Sequence, residues 1–189
     1  MHDFLFQKLI KNYEDVSNPR VRDQYGKVAG IVGILSNTLL CIMKIIVGLV
    51  SGSIAIVADA VNNLADAASS LITLIGFKLA SMPEDKKHPY GHARMEYLAG
   101  LLVSVIIIIA GFELAKSSVS KIISPSPTEF SAAVVIVLLL AIVIKVWQAR
   151  FNISAGKKID SLTLIATGAD SRNDVIATGA VLFSLLVGH

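Results

Sequence analysis

Two pairs of oxygen-bearing side chains stand four residues apart inside apolar runs: Asn62 with Asp66, and Asp170 with Asp174. At that spacing each pair lies on one face of a helix, one side chain above the other. An Asp at mid-membrane depth costs roughly 2.5–3.5 kcal/mol on insertion scales. Three carboxylates and an amide on two spanning helices therefore need a compensating partner, and a divalent cation is the most economical one. No His or Cys joins the four at this spacing. Tetrahedral zinc sites favour imidazole and thiolate, whereas carboxylate, carbonyl and water suit harder ions such as Mn²⁺. Mn²⁺ is thus the expected cargo, with Fe²⁺, Co²⁺ and Zn²⁺ open as alternatives. Polar residues that merely bond across helices would leave the cost of paired acids in lipid unexplained.

The same acids would trade protons for metal. An arriving dication displaces a proton held between repelling carboxylates, and its departure lets the proton return. Metal export against proton import is the resulting expectation, with no separate relay. A second cluster, Asp85, His88 and His92, follows the second apolar run at spacings of three and four residues. A carboxylate and two imidazoles there could form a weaker cytoplasmic metal site, although lone loop histidines are usually solvated. Asp59 lies seven residues before Asp66 on roughly the same face, either as an auxiliary ligand or as the partner of Lys44 in the first span. Arg172, between the two aspartates of the last run, points to another face, where pairing with some acid is its expected role.

These residues need long apolar helices to hold them. The chain has 189 residues, 54% hydrophobic and 16% charged, with a mean hydropathy of +0.69. That composition points to an all-α, polytopic membrane bundle, and no alternating ten-residue pattern suggests a barrel. Five apolar segments are expected to span, at about 29–50, 53–79, 97–115, 131–147 and 162–187, after a cytoplasmic tail over 1–28. In the tail, Phe4, Phe6, Leu9, Ile10 and Tyr13 suggest a short helix on the membrane surface, ending near Asn18-Pro19. The second segment is about 27 residues, roughly 40 Å as a helix. Twelve Lys and Arg fall on the tail side and two on the opposite side, which puts the N-terminus in the cytoplasm. The net charge of +3 is therefore explained by flanking residues and implies no nucleic-acid partner. The single Cys41 can form no internal disulfide. A polar start argues against a cleavable signal, and an ending just after the fifth segment would leave the C-terminus outside, an ending expected of a truncation.

On these residues the chain resembles the cation diffusion facilitator family. The matching stretches are Asn37, Lys44, Gly48 and Ser53 in the first hairpin, Ala58 to Asp66 in the second helix, His88 to Glu96 before the third, and Asp170 to Asp174 in the fifth. The resemblance implies a homodimeric metal/proton antiporter in the cell membrane, with six membrane helices, a cytosolic C-terminal domain and no cofactor beyond the transported ion. It assigns transport to Asn62, Asp66, Asp170 and Asp174, a set similar to the manganese-exporting branch, and matches Asp85, His88 and His92 to a loop site of some members. An enzyme is not expected: an intramembrane aspartyl protease needs one Asp per helix and a Gly-x-Gly-Asp signature, and here the local sequence is Gly168-Ala169-Asp170. A non-transporting membrane bundle leaves the deep acids without a purpose.

Overall fold

The computed structural model describes residues 3–51, 54–84, 89, 91–123 and 132–187, and among the described residues all regular structure is helical. In chain order the helices are α1 (Asp3–Leu9), α2 (Pro19–Ser51), α3 (Ile54–Ala80), α4 (Met95–Ile123), α5 (Ala132–Lys158) and α6 (Leu162–Val187). The five expected spans fall on α2 to α6. Neighbouring helices close a ring: α2 packs on α3, α3 on α4, α4 on α6, α6 on α5, and α5 back on α2. Directly across the ring, α3 and α6 touch little.

Pro19 opens a helix rather than ending one. Its missing N–H is one that the first helical turn leaves unpaired in any case. Asn18 caps the turn, its side-chain oxygen accepting the amide of Arg20 at 3.0 Å. The last third of the expected tail is therefore the first part of α2. The short helix is α1, and one of its faces turns onto the bundle. Phe6 and Ile10 are buried, and Phe6 stacks on Tyr25 and Phe151 with ring centroids 4.4 and 4.6 Å apart. Tyr25 donates its hydroxyl to the carbonyl of Tyr13 at 2.9 Å, so α1 is folded against the end of the bundle.

Leu35, Leu49, Leu101, Ile108, Phe112, Val143, Ile176 and Phe183 are exposed on the outside of the ring. A belt of that kind suits hydrocarbon and not water. Among the described residues, three helices are long and apolar enough to cross a membrane: Pro19–Val50, Met95–Glu113 and Ala132–Lys158. α3 and α6, at 27 and 26 residues, have the length. They also carry Asp59, Asp66 and Lys78, and Asp170, Arg172 and Asp174, so composition alone does not mark them.

One polar clamp ties the ring at the end where α1 docks. Arg22 of α2 donates to both carboxylate oxygens of Glu96 on α4, at 2.9 and 3.0 Å, and to the carbonyls of Ile159 and Asp160 in the α5–α6 turn. Asp160 holds a left-handed φ of 52°, which aims its carbonyl into the clamp. Arg22→Ala strands the buried Glu96 and two carbonyls, so we expect a loss of about 2 kcal/mol. A thermal unfolding scan of the purified protein checks this; an unchanged melting temperature counts against the clamp.

Candidate metal site

The site is built from three helices. α3 supplies Asn62, Asn63 and Asp66, α6 supplies Asp170 and Asp174, and α5 supplies Lys145. The four-residue spacing puts Asn62 and Asp66 on one face of α3, and the same repeat aligns Asp170 with Asp174. Asp66, Asp170 and Asp174 each bring an oxygen to within 4.8 Å of the others. Asn62 donates its amide to Asp174 Oδ1 at 3.4 Å, and Asn63 donates to Asp66 Oδ2, also at 3.4 Å.

The buried side of α6 explains why these acids can approach. Thr167 and Ser171 donate their hydroxyls to carbonyls four residues back in α6, at 3.0 and 3.1 Å. The packed face is thereby small and satisfied. Gly168 admits α5 closely: a Cβ there would sit 3.0 Å from the carbonyl oxygen of Ala149 and from the amide nitrogen of Ile153. On α3, Ser70 donates to the carbonyl of Asp66 at 2.9 Å, one turn along.

Spacing alone does not reveal Lys145, which lies inside the fourth apolar segment. Its Nζ bridges Asp66 Oδ2 at 2.5 Å and Asp174 Oδ2 at 2.6 Å. The lysine side chain is 4% exposed, against 13% for Asp66 and 19% for Asp174. A signal was present in the sequence, because a mid-span lysine is as costly in lipid as an aspartate and must find a partner. Asp170 joins the cluster without an ion pair among the described residues. The groups together offer a dication three carboxylates and an amide oxygen. Opposed ligand oxygens around a hard dication bonded at roughly 2.0–2.6 Å stand about 4–5 Å apart, matching the span of the cluster.

Asp59 is elsewhere. Its carboxylate pairs with Lys44 at 2.7 Å, and Lys44 is 3% exposed, so the partner role takes it rather than the ligand role. Arg172 is exposed and makes no ion pair among the described residues, contrary to the expectation of an acid partner; the outer face of α6 carries it away from both aspartates. Asp85 and His88 lie outside the described residues. His92 has Nδ1 3.2 Å from the carbonyl of Pro83. Between α3 and α4 runs a groove of about 320 Å³ lined by Val61, Asn62, Ala65, Ile106, Ile109 and Ala110, apolar apart from Asn62.

Comparison with known proteins adds to this geometry. Residues 30–189 match the family described as the cation efflux transmembrane domain. An uncharacterized transporter of Methanocaldococcus jannaschii is 38% identical over 157 residues, 83% of this chain and 56% of the relative. The manganese efflux system proteins MneP and MneS of Bacillus subtilis are 29% identical over 167 residues and 31% over 159. Those alignments cover 88% and 81% of this chain, and 56% and 53% of the relatives. The chain thus spans about half the length of the curated relatives it matches.

Proposed function

The chain belongs to the cation efflux family, an integral membrane family of transporters, and on that premise we propose that it exports a divalent metal ion, Mn²⁺, in exchange for protons. The observation that carries the reading is the meeting of Asp66, Asp170 and Asp174 from two facing helices, with oxygens within 4.8 Å of one another. An ion leaving water needs its hydration shell replaced, and three carboxylates with one or two waters do that. Asn62 adds a neutral oxygen where an imidazole would favour zinc, which supports Mn²⁺ over softer ions. Two of the similar proteins carry manganese efflux in their names, in line with this choice. Because α3 and α6 touch little across the ring, they can part on either side of the acids and expose the ion to each face in turn. The excess of basic residues on the tail side supports a cytoplasmic N-terminus, and the cell membrane is the location proposed with it. Protons returning to the acids after release complete the exchange, and a homodimer fits the same family reading.

The test is growth of a metal-export-deficient strain carrying the full gene, challenged with Mn²⁺, Zn²⁺, Fe²⁺ and Co²⁺ side by side. Rescue against Mn²⁺ is expected; no rescue against any of the four overturns export. Asn62→His swaps an oxygen donor for a nitrogen one and moves preference toward Zn²⁺ by about tenfold. Uptake into proteoliposomes measures that ratio, and an unchanged Mn²⁺:Zn²⁺ ratio counts against Asn62 as a ligand.

A further inference from the structure

Lys145 does more than neutralise a deep acid. Its Nζ holds Oδ2 of Asp66 and Oδ2 of Asp174 at 2.5 and 2.6 Å, and these belong to the acids that bring α3 and α6 to a common ion. A metal bridging the same two oxygens would stand within a few ångströms of the ammonium, with like charges in a low-dielectric interior. The two cations therefore exclude each other. We propose that Lys145 is a tethered counter-cation: it occupies the metal site between loads, each incoming dication displaces it, and it returns as the ion leaves.

The displaced ammonium has acceptors nearby. Asn63 already touches Asp66 Oδ2 through its amide, while its own Oδ1 is buried and unpartnered. Gln148 lies three residues after Lys145 on the same side of α5, 1% exposed, with neither side-chain polar atom partnered. A buried amide oxygen left without a donor costs free energy, so accepting the ammonium relieves that cost while the metal holds the carboxylates. Two consequences follow for transport. The empty carrier keeps Asp66 and Asp174 paired and so reorients with less bare charge in hydrocarbon. Monovalent ions, carrying no more charge than the tether, gain too little to displace it, so the site selects for charge as well as for ligand type.

This inference rests on the transport-site reading above, and its test separates the two. Mn²⁺ binding is measured by calorimetry on the purified protein in lipid nanodiscs, for wild type, Lys145→Gln, Lys145→Met and Lys145→Arg, with Asp170→Asn as a site control. A tether that vacates the site about one time in ten weakens apparent affinity about tenfold, so the Gln and Met variants bind Mn²⁺ at least tenfold more tightly. Lys145→Arg keeps the charge and binds like wild type. Equal or weaker binding in the Gln and Met variants, with wild-type binding lost in Asp170→Asn, overturns the tether and leaves the transport site standing. No Mn²⁺ binding in any protein, wild type included, overturns both. Should neither neutral variant fold, a cryo-EM structure of the wild type in Mn²⁺ decides. Metal density between Asp66 and Asp174 with Lys145 swung away supports the tether, and metal density with Lys145 still on both acids overturns it.

Discussion

If the chain exports Mn²⁺ as proposed, Asp170→Asn is expected to lower that efflux by at least about a hundredfold and leave the fold intact, whereas Asp66→Asn lowers it as far and weakens the fold as well. Both variants remove one of three carboxylates from the cluster. Loss of outer-shell partners alone costs a metal site about 10–100-fold, and a direct ligand costs more. The difference lies in Lys145. Asp170 makes no ion pair among the described residues, so its amide replacement removes like charge and strands nothing. Asp66 is one of two acids gripping a lysine whose side chain is 4% exposed. Its loss leaves that ammonium half-paired in the interior, at a cost of about 2–4 kcal/mol. The double variant Asp66→Asn with Lys145→Gln recovers most of that stability and none of the efflux. Mn²⁺ flux into proteoliposomes and thermal unfolding in detergent read the two effects separately. Equal melting temperatures for Asp66→Asn and wild type would remove the ion pair from the account.

Part of this site is legible in the chain itself. The four ligand candidates were legible because each pair obeys a helical spacing and each acid breaks an apolar run. Both are local signals. The Lys44–Asp59 pair was also readable, since two opposite charges on consecutive spans joined by a short turn have few other partners. The bridging role of Lys145 was not readable. Its partners lie 79 and 29 residues away on two other helices, and only tertiary packing brings them together. Pro19 is ambiguous for a related reason: the same residue ends a helix from inside and begins one from its first position, and the Asn18 cap is what decides. The docking of α1 turned on Phe6 meeting Tyr25 and Phe151, a contact with no local pattern. Asp85 and His88 fall outside the described residues.

Gly168→Ala, a single methyl two residues from Asp170, weakens the fold and the site together. A Cβ at Gly168 would lie 2.6 Å from Cγ1 of Ile153, 3.0 Å from the Ala149 oxygen and 3.0 Å from the Ile153 nitrogen. A flexible side-chain tip can move aside, but two of these three atoms belong to the backbone of α5. The helices must therefore separate, an overpacking cost of about 1–3 kcal/mol. Lys145 sits one turn before Ala149 on α5, and Asp170 and Asp174 follow Gly168 on α6. Separation at this crossing displaces α6, and with it Asp170 and Asp174, relative to Asp66 on α3, so the three oxygens no longer meet within 4.8 Å; loosening Lys145 from Asp174, now held at 2.6 Å, offsets only part of that loss. Mn²⁺ affinity should fall about tenfold, equivalent to about 1.4 kcal/mol. Gly179→Ala is the matched control on the same helix. Nothing lies within 4 Å of a Cβ there, so helix propensity alone acts and stability rises by up to about 1 kcal/mol. Calorimetric Mn²⁺ titration and thermal unfolding of the two variants supply the comparison. If Gly168→Ala binds as tightly as Gly179→Ala, the close α5–α6 crossing does not set the geometry of the acids.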